Sequence, residues 1–401
     1  MITITQKENC TGCRACEHAC PKNSIQMIPD TQGFLYPSVD KTNCIDCGLC
    51  DKACHMQKHP DSSKEFGGEI FVGINKNESE RLASSSGGIF SLLAQHIFTL
   101  GGVVYGAGFD SDFNVVHKRC ESASSLSELR GSKYVQSDVK NSFYLAKKDL
   151  EEGKPVLFTG TPCQIGALKA YLKNDYDNLY TQSFICHGVP SPKVWQKYMK
   201  FIESENSKKI SGVNFRDKTL GWSKYAYRIN FEDGSSCLTL PEKDLYRQVF
   251  LKNTCLRPSC HNCYYKTFEA HSLSDITLAD WWGMKKGILC EAEDDKGASV
   301  IVANTSKGKS LLLSLDDNIV MKPASYDQTI AKNPSYYKSA SASKYRDALF
   351  DNLEKMPFDK LSKKYASTPF KEKFKRSARK AIITIAYRLG IIALAKKILK
   401  R

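Results

Sequence analysis

The sequence predicts an α/β protein, α+β when all its parts are counted, with a small cysteine-dense module in front. Three observations carry this. From residue 69 to 206, short apolar strand-like runs alternate with stretches of helical spacing, the pattern of a largely parallel α/β sheet. Residues 1–60 hold eight cysteines in two similar runs and little conventional core. Residues 207–345 open with a β-rich insertion before the α/β pattern returns, and 346–401 read as a basic helical tail.

The elements follow in order. After a Pro-, Ser- and Gly-containing linker at 59–68, "EIFVGI", "GGVVYGAGF", "KPVLFTG" and "LYTQSFIC" read as strands. Between them "GGIFSLLAQHIF", "CQIGALKAYL" and "PKVWQKYMKFIE" space their apolar residues as helices do. "YAYRINFEDGSSCLTL" predicts a hairpin turning at Asp233-Gly234. "DITLAD" and "SVIVAN" then resume the strand pattern.

A chain of 401 residues suffices for two or three domains, and 41% hydrophobic with 25% charged residues is ordinary for a soluble protein. The start, "MITITQKENC", has no basic segment leading into an apolar one, so a secretory signal is not expected. No uncharged apolar run reaches the 18 to 20 or so residues of a spanning helix; the longest candidate, 381–395, carries Arg388. Sixteen cysteines without an export signal read as metal ligands in a reducing, cytoplasmic setting. Of the net charge of +15, segment 371–401 supplies +10, from eleven Lys and Arg against Glu372. The other residues are nearly balanced, so no nucleic-acid partner is expected. The tail sets Ile382, Ile385, Leu389 and Ile392 at helical spacing among basic residues. Two readings stay open for it: peripheral contact with an anionic membrane face, or packing on the body or a partner.

The cysteine runs, "CTGCRACEHACP" and "CIDCGLCDKACH", each read C-x2-C-x2-C-x3-C. Three thiols from one tight turn and a fourth from elsewhere suit an iron–sulfur cube; zinc sites use C-x2-C pairs instead. The runs resemble the two-cluster bacterial ferredoxin pattern, in which the fourth cysteine crosses to the other cluster. That implies Cys10, Cys13, Cys16 and Cys54 around one 4Fe–4S cluster, and Cys44, Cys47, Cys50 and Cys20 around the second. His55 stands where a proline usually follows.

The body offers further chemistry. "ASSSGGIFSLLA" places two glycines before a helix, an anion cradle or a plain helix start. "RGSKYVQS" offers Arg130 and Lys133 to phosphates and Tyr134 to a ring. "FTGTPCQI" ends a strand and puts Cys163 at a helix start, where a thiolate is stabilised. "SFICHGVPSP" carries Cys186 and His187 at another strand end. "CLRPSCHNC" holds Cys255, Cys260, His261 and Cys263, too few at C-x2-C spacing for a cluster alone. Cys163 and Cys186 complete a set if the sheet brings their strand ends together, with Cys255 as the competing ligand. "GGVVYGAGFDSD" has Ser111 where a third dinucleotide-binding glycine would stand. Cys120, Cys237 and Cys290 read as small buried or semi-buried hydrophobes, and Trp281 and Trp282 as core residues or walls of a pocket.

Taken in order with "DITLADWWG", these stretches resemble the beta-subunit family of coenzyme F420 (deazaflavin) hydrogenases and dehydrogenases, over roughly residues 69–320. The resemblance implies an FAD-binding α/β body with its own 4Fe–4S cluster. It makes Ser85, Ser86, Gly87, Gly88, Lys133, Tyr134, Gln136, Thr159, Gly160 and Thr161 flavin-site candidates. Cys186, Cys260 and Cys263 become third-cluster ligands, with Cys163 the preferred fourth. His187 and His261 are proton-donor candidates, and no catalytic acid is assigned. The expected activity is that of an iron–sulfur flavoprotein oxidoreductase, fed by reduced ferredoxin or reduced deazaflavin and acting on an unidentified substrate. Similar fused proteins accompany polysaccharide-synthesis enzymes in bacteria. The alternative is an electron-transfer subunit of a hydrogenase- or dehydrogenase-type complex with no substrate of its own.

Overall fold

The structure, a computed structural model, describes residues 1–57, 68–266, 273–283, 289 and 294–367. The basic tail 371–401, Cys290 and the linker up to residue 67 lie outside the described residues. Among the described residues no helix is long and apolar enough to cross a membrane.

The N-terminal module is built on an antiparallel hairpin of β1 (Ile25–Pro29) and β2 (Leu35–Val39). Two four-residue helices, α1 (Ala15–His18) and α2 (Leu49–Lys52), each carry the third cysteine of a run. The module's apolar core is thin: Ile2, Ile25 and Met27 pack with Cys16 and Cys50. A unit this small needs a staple beyond apolar burial, commonly a metal site or disulfides.

In the body, β3 (Glu69–Asn75), β4 (Val103–Phe109), β5 (Val115–Cys120), β6 (Val156–Thr159) and β7 (Leu179–Phe184) precede the insertion. The insertion is a three-stranded sheet, β8 (Ile210–Asp217), β9 (Ala226–Phe231) and β10 (Ser236–Thr239), ordered β10-β9-β8, with its second turn at Asp233-Gly234. β11 (Ile276–Asp280), β12 (Ser299–Ala303) and β13 (Ile319–Pro323) then complete an eight-stranded sheet ordered β13-β3-β12-β11-β7-β6-β4-β5.

That sheet corrects the largely parallel expectation. Only the pairs β4–β6, β6–β7 and β7–β11 are parallel; the pairs on both flanks are antiparallel. β5 returns beside β4 after five residues, far too few for a crossover. Asp110 closes that turn by accepting the amides of Asp112 and Asn114.

Alternation along the strands sets the two layers. Past the short α3 (Glu78–Ala83), Val104 and Leu157 face α4 (Ile89–Thr99), which buries Ile89, Leu92, Leu93 and Ile97. Val103, Tyr105, Val156 and Phe158 face the opposite layer, where α5 (Ser142–Glu151) and α6 (Pro162–Leu172) supply Phe143, Ile165 and Leu168. The insertion lays Phe215, Tyr227 and Phe231 against Trp195 and Tyr198 of α7 (Pro192–Asn206), in a separate aromatic core. Cys120 is core, as expected, and Trp281 is buried, whereas Trp282 is 41% exposed.

Candidate iron–sulfur and cofactor site

In both cysteine loops the backbone turns left-handed at the same two places. These are Gly12 and Arg14 in the first, at φ +69° and +61°, and Asp46 and Gly48 in the second, at +51° and +69°. Such turns curl three thiols of a short loop toward one side; a side chain tolerates them at a cost. Cys10, Cys13, Cys16 and Cys54 line one pocket. Cys20, Cys44, Cys47 and Cys50 line another. Each pocket thus takes three thiols from one run and the last from the other. Among the described residues no three His, Cys, Asp or Glu side chains gather around a single-ion position. The thiols ring a void instead, and a soft all-sulfur donor set around a void fits a cluster. Backbone N–H groups reach the sulfurs, Gly12 to Cys10 at 3.4 Å, Ile2 to Cys50 and Ser24 to Cys20 both at 3.3 Å. Burial pushes the Cys13 thiol up to about 12, with Cys10 and Cys54 adding to it. Binding a metal group there must displace the proton.

The body gathers four more thiols at the carboxyl edge of its parallel strands. Cys163 is the second residue of α6, directly after β6, and Cys186 lies two residues beyond β7. Cys260 and Cys263 arrive on the turn after Arg257. The Cys163 thiol feels Cys263, Cys186 and Cys260, and burial with these neighbours drives it well above its ordinary range. Cys163 does stand in the first turn of a helix, as expected, but burial opposes its charged form there. Val189 N–H donates to Cys260 Sγ at 3.3 Å. Cys255 is not brought to this group. It lies in the aromatic core beside Tyr246, and burial pushes its thiol up to about 12.

The module docks on the body through buried polar contacts. Arg257, 1% exposed, donates to the carbonyls of Cys10 and Leu35, both at 2.8 Å, and to Cys10 Sγ at 3.7 Å. Its guanidinium lies over Tyr36 at 4.5 Å. Arg14 clasps Asp138 with Nε and Nη2. His55, fully buried, bonds Thr11 Oγ1 through Nε2 at 3.0 Å and Tyr265 Oη through Nδ1 at 2.6 Å. Tyr265 also lies within electrostatic reach of Cys163, Cys13 and Cys263. One side chain therefore stands between a thiol group of the module and that of the body.

The ten flavin-site candidates have varied surroundings. Ser85 Oγ accepts from Ser132, and Ser86 Oγ donates to the Ala298 carbonyl. Gly87 N–H donates to Ser299 Oγ, and Gly88 opens α4 without a capping side chain, leaving first-turn amides free of such a partner. Lys133 does not reach outward; Nζ donates to the carbonyls of Glu128, Leu129 and Arg130 at 2.9–3.1 Å. Three carbonyls in that geometry suit an ammonium, although burial lowers its affinity for the proton. Gln136 is spent on the docking interface, donating to the Thr11 carbonyl and accepting from Arg257. Tyr134 stacks on Phe250 at 5.3 Å. Thr159 bonds the Tyr105 carbonyl, Gly160 follows β6, and Thr161 forms a capping box with Gln164. The structure thus brings the "SSSGG" and "GSKYVQS" loops together and holds their side chains in internal bonds.

His187 bonds Asn253 Oδ1 at 2.7 Å and stands edge-on to Phe250; His261 bonds the Ala340 carbonyl at 2.8 Å. Burial lowers both below the ordinary histidine range. Sequence reasoning missed Arg257, Tyr265 and the Arg14–Asp138 clasp. "CLRPSC" and "HNCYY" put two of them beside cysteines, the one signal available.

Two thiol pockets in the module and a third thiol group in the body define an iron–sulfur electron-transfer protein of the oxidoreductase class. Residues 9–58 match the 4Fe–4S dicluster domain, and residues 153–328 match the C-terminal part of the beta subunit of coenzyme F420 hydrogenase/dehydrogenase. Over those segments the chain is similar to the beta subunit of coenzyme F420 hydrogenase/dehydrogenase and, at its N-terminus, to a dicluster domain. Among solved structures it is similar to a chain of the F420-reducing NiFe hydrogenase complex from Methanosarcina barkeri. The two share 16% identity over 71% of this chain and 91% of that one, with a TM-score of 0.45. No curated protein matches.

Proposed function

We propose that the chain is an iron–sulfur flavoprotein oxidoreductase. It takes electrons from a low-potential donor, reduced ferredoxin or reduced deazaflavin, and passes them through three 4Fe–4S clusters to FAD and a bound substrate. The observation that carries the reading is the grouping of twelve thiols in three sets, two in the module and one at the sheet's carboxyl edge. That edge is where open α/β sheets bind ligands.

Clusters exchange one electron at a time, and a flavin joins single electrons to hydride transfer. The chain's own residues do the rest. Cys10, Cys13, Cys16 and Cys54 hold one cluster; Cys20, Cys44, Cys47 and Cys50 hold the second; Cys163, Cys186, Cys260 and Cys263 hold the third. The set containing the exposed Cys47 is the entry point. The set containing Cys13 faces the body, and His55–Tyr265 fixes its distance from the third set. N–H groups at the sulfurs favour the reduced state. For FAD, the amides opening α4 and the Gly160–Thr161 turn are the phosphate-binding candidates. Lys133 and Gln136 act as positioning residues that fix loop and interface. Polysaccharide synthesis is the setting that the family resemblance offers for the substrate.

The test is anaerobic purification followed by flavin release and quantification. About one FAD per chain is expected, and its absorbance should bleach when reduced ferredoxin or reduced deazaflavin is added. A cluster-loaded chain without flavin would overturn the flavoprotein reading and leave the electron-transfer reading.

A further inference from the structure

We propose that Arg216 is a binding residue for an oxyanion, a phosphate or carboxylate borne by a planar ligand. It would act inside an aromatic box where the three-stranded sheet meets the carboxyl edge of the main sheet. The inference rests on the flavoprotein reading only for the ligand's redox role. Arg216 lies near the end of β8 with its side chain 3% exposed. Its guanidinium stands 3.9 Å from the ring centre of Tyr225, with Trp282 and Trp222 at 5.6 and 5.7 Å. Nη1 faces Asp280 at 3.3 Å. Nε and Nη2 are buried and have no hydrogen-bond partner among the described residues. Trp222 Nε1 and Tyr227 Oη, on side chains nearby, are also buried without one.

Nε and Nη2 form the edge of a guanidinium that grips two oxygens at once. Elsewhere in this molecule that edge is filled. Arg14 uses it to clasp both oxygens of Asp138, and Arg119 to clasp both oxygens of Asp149. At Arg216 no carboxylate of the described residues fills the same edge, although buried donors are nearly always satisfied in folded proteins. Asp280 and the rings hold the fork in place, so it is ready for two acceptor oxygens. Lys218, two residues on, does not compete for them: its Nζ is committed to the carbonyls of Arg81, Ser86 and Lys296 at 2.6–2.8 Å.

The box is also placed for redox chemistry. Asp280 ends β11, and the pairing of Leu278 with Phe184 sets it level with Cys186. Tyr134 packs on Phe250 and Leu256 with Cys260 on one side, and on the other its hydroxyl comes within hydrogen-bonding reach of the Arg216 guanidinium. A ligand anchored here stands beside the third thiol group. Its oxyanion belongs either to the flavin or to the ligand that the flavin serves.

Equilibrium dialysis of the full cluster-loaded chain tests this with riboflavin, FMN, FAD, inorganic pyrophosphate and oxalate. If the oxyanion is the flavin's, Arg216→Gln binds FMN and FAD about tenfold or more weakly and riboflavin as before. If it is the second ligand's, flavin content holds and pyrophosphate or oxalate binding weakens by a similar factor. Wild-type binding of all five probes by a variant with full iron content would overturn the proposal and leave Arg216 a packing residue. Should Arg216→Gln lose its iron, Arg216→Lys, which keeps the charge but not the fork, decides by the same dialysis. Arg216-dependent pyrophosphate binding in a chain without flavin would sink the flavin reading alone. Flavin held regardless of residue 216, with no Arg216-dependent anion binding, would sink this proposal alone.

Discussion

Single buried polar groups set how this chain's parts meet. His55 occupies the position where the first run has Pro21, and that departure from the repeat has a structural use. Its ring bonds the module's own Thr11 on one side and the body's Tyr265 on the other. In Tyr265→Phe the ring stays and the hydroxyl goes, so a buried nitrogen loses a short bond. Denaturant titration of the cluster-loaded protein is expected to show a loss of about 1–3 kcal/mol. Asp149 gives a second test, in acid. Burial opposes its charge, but Arg119, Tyr105 and Lys154 all donate to it and hold its carboxyl down at about 2. A depressed carboxylate contributes stability above its unfolded pKa, and that contribution fades as pH falls from about 4 to about 2. Asp149→Asn should therefore cost on the order of 2 kcal/mol at neutral pH and little at pH 2. An equal cost at both pH values would contradict the assignment.

At the scale of elements, α6 shows how a local signal serves a distant site. "TGTPCQI" contains T-x-x-Q with proline at the first helical position, and the capping box forms between Thr161 and Gln164. Cys163 sits inside that first turn, so the cap also fixes a thiol. Thr161→Ala is expected to lower the unfolding free energy by about 1 kcal/mol, and thermal unfolding should register it while Thr161→Ser stays close to wild type. Further along α6, Gly166 faces Tyr265; a Cβ there would meet the hydroxyl at 2.0 Å, so only glycine lets this ring approach. Helices and parallel strands were legible because their apolar periods of 3.6 and 2 are dictated by burial. β5 was not, because three of the six residues in "VVHKRC" are polar or charged and stand side by side, which breaks the alternation. The reversals at both flanks were hidden too, since pairing direction depends on connection geometry and leaves apolar patterning unchanged.

At the scale of the molecule, the module and body form one docked unit. The cysteine sets could be read because ligand spacing is a local property of the chain. The docking could not, because Arg257 meets Cys10, 247 residues away in sequence. The loss of Gln136 from the flavin set has the same cause, since Thr11 and Arg257 claim it from more than a hundred residues away, whereas Lys133 is taken up locally by the carbonyls of Glu128, Leu129 and Arg130. Arg257→Met removes a donor from the Cys10 sulfur and is expected to make that cluster's midpoint potential more negative, by EPR-monitored redox titration. An unchanged potential would mean that Arg257 only docks the module. The claim that all three thiol groups hold clusters is tested most directly by counting iron and acid-labile sulfide in the anaerobically purified full chain, beside Cys186→Ser. The account predicts about twelve irons per wild-type chain and about eight in the variant; about eight in both would contradict it.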